Sequence, residues 1–146
     1  MKDTYVIINE TSFDNGAYEI TINTHLGSFT GYTEPDEIDS KYLSKYHASE
    51  IALAKALRRF GEAIVSVTKR EVKLLESLMK QSIDSAVEDY DVDNTSFRLI
   101  NGTLRQKQKE LKYWQERVDG LTNTIKIRVS ERDKLVARYV AKDKTE

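Results

Sequence analysis

The side chains able to do chemistry here are few. The 146-residue chain has no cysteine and two histidines, His25 and His47. Without thiols there is neither a disulfide framework nor a thiolate metal site. His25 falls in a turn and His47 in a helical stripe, so both read as structural groups rather than as a ligand pair. The nearest approach to a metal motif is Asp89, Asp91 and Asp93, spaced like the start of a calcium loop. The glycine and the distal glutamate that such a loop requires are missing. The run from Asp89 to Ser96 fits helix capping instead, because such side chains bond free backbone N–H groups. No Gly-rich phosphate loop, nucleophile elbow or zinc-binding helix motif occurs. The expectation is a non-enzymatic protein with no catalytic residue, no metal and no cofactor.

What remains is binding, and the charge for it is unevenly spread. Residues 1–50 carry three Lys/Arg against nine Asp/Glu, net −6, whereas residues 97–146 carry thirteen against seven, net +6. The overall charge of −1 therefore hides two regions of opposite sign that could face partners. In the acidic region Asp36, Glu37 and Asp39 cluster in a turn and form a candidate partner-binding head. In the basic region Arg105, Lys109 and Lys112 form a candidate basic face, interleaved with Glu110, Glu116 and Asp119. Interleaved acids cancel phosphate contacts. A flank that pairs with acids of the preceding helix is therefore a competing reading to a nucleic-acid surface.

The elements that must carry these groups follow from periodicity. Residues 1–34 read as a three-stranded β-meander. Asp14-Asn15-Gly16 supplies a hairpin turn, since Asn and Gly tolerate positive φ. After it Tyr18, Ile20 and Ile22 alternate with Glu19, Thr21 and Asn23, and Leu26-Gly27 turns the chain into the third strand. One polar face means that the other lies on helices. A long first helix is expected over 35–90, with Pro35 near its start, a turn over 91–96, and a long second helix over 97–142. Asn101-Gly102 is the weak point of that second helix, which could begin only at Thr103.

The second helix carries a heptad. With Phe97 at position a, the seam runs through Leu104, Leu111, Trp114, Val118, Leu121 and Ile125, after which the apolar line slips to Val129. Lys107 and Arg128 occupy d positions and are expected to weaken the seam unless their stems snorkel. The fold class is α+β, a β-meander followed by an antiparallel two-helix coiled-coil hairpin, read as a single domain. No apolar run approaches the ~20 residues that span a bilayer and residues 1–10 lack a secretion pattern. A cytoplasmic protein without a membrane partner is expected.

One stretch resembles a known group. Phe29-Thr30-Gly31-Tyr32-Thr33, Asp36-Glu37-Ile38-Asp39-Ser40 and His47-Ala48-Ser49-Glu50-Ile51-Ala52-Leu53-Ala54-Lys55-Ala56-Leu57 resemble a pattern in small accessory proteins of phages and prophages of Gram-positive bacteria. There a strand ends in Gly, an acidic turn follows, and a helix opens with an Ile-Ala-x-x-x-Ala core. This chain has His47-Ala48 where that helix commonly opens with Gly, and Lys55 where Arg is frequent. The resemblance implies a context, a mobile-element protein acting in a bacterial host cell. In that context the expected function is binding and inhibition of a host protein or nucleoprotein machine such as a defence nuclease, in the manner of an anti-CRISPR. A nucleic-acid-binding accessory role through the second helix and self-assembly as a coiled-coil homo-oligomer are the alternatives.

Overall fold

The computed structural model describes residues 4–37, 45–88 and 95–145, with the side chains of 4–35, 37, 47–84 and 97–130. It has the expected α+β architecture. Strands β1 (Val6–Ser12), β2 (Tyr18–Thr24) and β3 (Gly27–Thr33) form an antiparallel sheet in the order β1-β2-β3. A 3-10 turn over Pro35–Glu37 and helices α1 (Lys45–Glu88) and α2 (Thr95–Thr145) follow. Two compact units emerge, one of Glu62–Glu116 and one of Lys2–Gly61 with Arg117–Glu146.

In the sheet-containing unit, local chemistry sets the turns. Gly16 takes φ 91° and Gly27 φ 111°, the left-handed region that side chains disfavour. Around the first turn Phe13 N–H donates to Ala17 O and Gly16 N–H to Phe13 O, both at 3.0 Å, while Asn15 Oδ1 accepts the Ala17 N–H. At the second, Thr24 Oγ1 accepts the Leu26 N–H and donates to Gly27 O at 2.8 Å. The alternation along β2 is as the sequence requires, with Ile20 and Ile22 buried and Asn23 exposed. In β1 the register slips between Ile7 and Asn9, so Ile8 is an extra residue in the ladder.

The buried face of the sheet lies against the first turns of α1. Ile20 pairs with Gly31 and Ile22 with Phe29 across β2 and β3. Ile20, Ile22, Ile51, Ala52, Ala56 and Phe60 are all 1% exposed or less, which puts the core between these two layers. The approach is close enough to exclude a side chain at position 31. A Cβ built on Gly31 would stand 1.9 Å from the Ala52 carbonyl oxygen and 2.5 Å from the Ala56 amide nitrogen. Three polar bonds fasten the same junction. Thr33 Oγ1 donates to Ala48 O at 2.6 Å in a buried setting, and Lys55 Nζ donates to Tyr32 O at 3.1 Å and to Glu37 Oε1. Phe60 takes the rings of His25 and Phe29 at centroid distances of 5.7 Å, the exposed His25 lying edge to face with it.

Pro35 opens a 3-10 turn over Pro35–Glu37 in which the Glu37 carboxylate accepts the Glu34 N–H at 2.8 Å, and residues 38–44 of the helix expected over 35–90 lie outside the described residues. Gly102 does not interrupt α2, which runs unbroken from Thr95. One turn there carries an extra bond, Thr103 Oγ1 to Leu99 O at 2.9 Å.

Candidate interaction surfaces

The heptad of α2 decides which side chains face inward. In the unit Glu62–Glu116, Leu104 and Trp114 are buried and Leu111 is half-buried, while α1 contributes Ile64, Thr68 and Val72. Tyr113 meets Trp114 edge to face at 5.3 Å. In the other unit, Leu121 and Ile125 are buried, Val118 is half-buried, and Val129 packs with Tyr18 on Ala48 and Ile51. Within each unit these positions are therefore buried or half-buried.

The two d-position cations have a role that the sequence expectation lacked. Lys107 Nζ stands 2.9 Å from Glu71 of α1 and 3.4 Å from Glu110, and Arg128 Nε stands 3.3 Å from Glu50 of α1. The hydrogen bond that Lys107 donates to Glu71 is the largest influence holding the Lys107 pKa above its ordinary value. The Coulombic pull of Glu110 and Glu71 adds to it and desolvation opposes it. The two cations are three heptads apart on α2, as their two glutamates are on α1. A polar contact at a seam position fixes register rather than merely weakening packing.

Of the acidic head, Glu37 is held in place: its carboxylate takes Lys55 and caps the Glu34 N–H, and its side chain is 20% exposed. The side chain of Asp36 and the whole of Asp39 lie outside the described residues. Among the described residues no cluster of three His, Asp or Glu groups could hold a metal ion. No helix there is long and apolar enough to cross a membrane.

The basic face stands differently. Arg105, Lys109 and Lys112 are exposed, and none of them forms an ion pair among the described residues. Arg98, outside the sequence-derived face, belongs with them. With Phe97 at a, residues 98, 105 and 112 are b positions and 109 is an f position, two of the sites that point away from a partner helix. Glu110 lies off this line, where it meets Lys107. Heptad lettering alone would have grouped Arg98 with these cations and set Glu110, a g position, apart from them.

A second surface was not visible in the sequence. On α1, Val67, Leu74 and Leu78 flank Glu71 at helical spacing, and all three are exposed, Leu74 to 61%. On α2, Leu99 is three turns before Glu110 on the same side and is 67% exposed. Because Glu71 and Glu110 share Lys107, the two rows border one flank of this unit. Among its described residues Val67, Leu74, Leu78, Ile83 and Leu99 are exposed, against Ile64, Val72, Leu104 and Trp114 buried.

No family model, no curated protein and no solved structure matches this chain.

Proposed function

We propose that this chain is a non-catalytic, protein-binding protein, and that the flank formed by Val67, Leu74, Leu78 and Leu99 receives an amphipathic helix of a partner. The observation that supports this reading is the excess of exposed over buried large apolar side chains in the unit Glu62–Glu116. An apolar row of that kind on a helical hairpin is covered most simply by another helix with apolar residues at i, i+4 and i+7. Charge complementarity favours a partner other than a second copy. Two carboxylates, Glu71 and Glu110, share one ammonium on this flank, so a cation on the incoming helix is favoured and the same acidic set is not. The likeness of residues 29–57 to phage accessory proteins makes a bacterial host enzyme, such as a defence nuclease, the partner to test first.

The test uses the absence of native cysteine. Gln81 lies one heptad beyond Leu74, on the same flank and exposed, and Lys69 lies on the opposite side of α1. A photo-cross-linker on Gln81→Cys should give one discrete adduct with a bacterial protein. The Leu74→Glu/Leu78→Glu background should abolish that adduct, and Lys69→Cys should not form it. Equal labelling from both cysteines, or an adduct that survives the two glutamates, would overturn the assignment. A product of twice the chain's own mass would replace the partner with a second copy.

A further inference from the structure

We infer that the outward row of α2 formed by Arg98, Arg105, Lys109 and Lys112 is a binding site for the phosphate backbone of duplex nucleic acid. The row borders the apolar flank at Leu99 and Glu110 but uses different side chains, and it goes beyond the protein-binding reading. Four cations occupy four of the five b and f positions between 98 and 112, a stretch that touches three successive heptads, and all are exposed. At 1.5 Å rise per residue the row is about 21 Å long, and its successive gaps are about 10, 6 and 4.5 Å. The remaining b or f position within it is Gly102, which adds no side chain; a Cβ there would meet nothing within 4 Å. A hollow beside it is lined by Gln106, Lys109 and the carboxylate-bearing Glu110. The row ends where the sign changes, at Glu116 and Asp119, the next f and b positions.

The chemistry of this row selects among acidic ligands. A protein interface needs an apolar or aromatic anchor at its centre, and this row has none. Single strands are held largely by stacking of bases on aromatic rings, and no ring lies on the row. Arg and Lys, with Asn101 and Gln108 at its margin, are the side chains that contact phosphate and sugar without reading bases. Because the chain's net charge is −1, attraction must come from this face locally rather than from the molecule as a whole. Binding without sequence preference follows.

The experiment is fluorescence anisotropy of the full chain with a labelled random-sequence duplex at several salt concentrations. Three to four neutralised phosphates predict a log–log salt slope of about −3 and a loss of affinity of ~40- to 150-fold between 50 and 200 mM salt. Replacing all four cations with Gln, which keeps helix propensity, should weaken binding at least tenfold and flatten the slope while leaving the circular dichroism spectrum unchanged. Lys69→Gln/Lys73→Gln/Lys80→Gln, on α1, should change binding less than threefold. Equal loss from both sets would show diffuse electrostatics and overturn the site. So would a single strand that binds more tightly than the duplex, or polyglutamate that competes as well as the duplex. Leu74→Glu/Leu78→Glu should bind duplex as the native chain does, so failure of the phosphate site and failure of the protein-binding flank are told apart.

Discussion

Replacing Gly31 with alanine tests the junction between sheet and helix at its tightest point. The added methyl would meet the Ala52 carbonyl oxygen at 1.9 Å and the Ala56 amide nitrogen at 2.5 Å, both backbone atoms of a helix. Neither can rotate away, so the sheet and α1 must part until these contacts approach the 3.4 Å of ordinary van der Waals packing. A gap of even 0.5–1 Å forfeits about a quarter to a half of the contact energy across it. Ile20 and Ile22 face that gap, and burial of each is worth about 1.5–3 kcal/mol. Half of their sum, with about 1 kcal/mol for the Thr33 to Ala48 hydrogen bond, gives a loss of about 3 kcal/mol. For a chain of this size the melting temperature should fall by ~10 °C. Urea titration followed by circular dichroism measures the loss directly. Because the obstacle is backbone, Ala52→Gly and Ala56→Gly should not rescue the variant. Gly102→Ala is the control: open space surrounds that position, and removing a helical glycine should stabilise by about 0.5–1 kcal/mol. A Gly31→Ala protein within ~0.5 kcal/mol of the native chain would refute the close approach.

Two further outcomes follow from the seam. A double-mutant cycle on Glu71 and Lys107, whose side chains are 40% and 29% exposed, should give a coupling of about 0.2–1 kcal/mol that shrinks with added salt. Since the folded state raises the Lys107 pKa, this contribution should be complete below the ordinary lysine pKa and fade as pH rises through the shifted value. Leu121→Ala should cost about 2–4 kcal/mol and Leu111→Ala distinctly less, because Leu121 is 4% exposed and Leu111 is only half-buried. Denaturant titration ranks the two, and the reverse order would mean that the heptad lettering is misplaced.

Local signals carried most of the fold. The β2 alternation, the Asp14-Asn15-Gly16 turn and the α2 heptad all depend on neighbours within a few residues, so a single sequence displays them. Contacts between distant residues are a different matter. Glu37 reads as a free acid in a turn, and only the fold brings Lys55 onto it from 18 residues away. Lys107 and Arg128 read as defects in an apolar seam until the opposite helix supplies Glu71 and Glu50. Gly31, Thr33, Ala52, Lys55 and Ala56 likewise look unrelated in sequence, and the fold makes them the parts of one helix-to-sheet junction. The apolar flank was hidden for the converse reason. Val67, Leu74 and Leu78 look like ordinary core residues in sequence, and their exposure depends on what α2 leaves uncovered.

The extra residue in β1 has a consequence for how the protein behaves at high concentration. Val6, Ile7 and Ile8 are an exposed apolar run on an edge strand, the kind of sequence that recruits strands from other molecules into growing aggregates. A regular ladder would offer a straight row of unpaired amides and carbonyls beside that run. The bulge at Ile8 bends the strand and shifts its register midway, so the free edge cannot template a long, flat partner. Colloidal stability is thereby built into the backbone of the first strand, without the lysine or proline that usually guards such an edge.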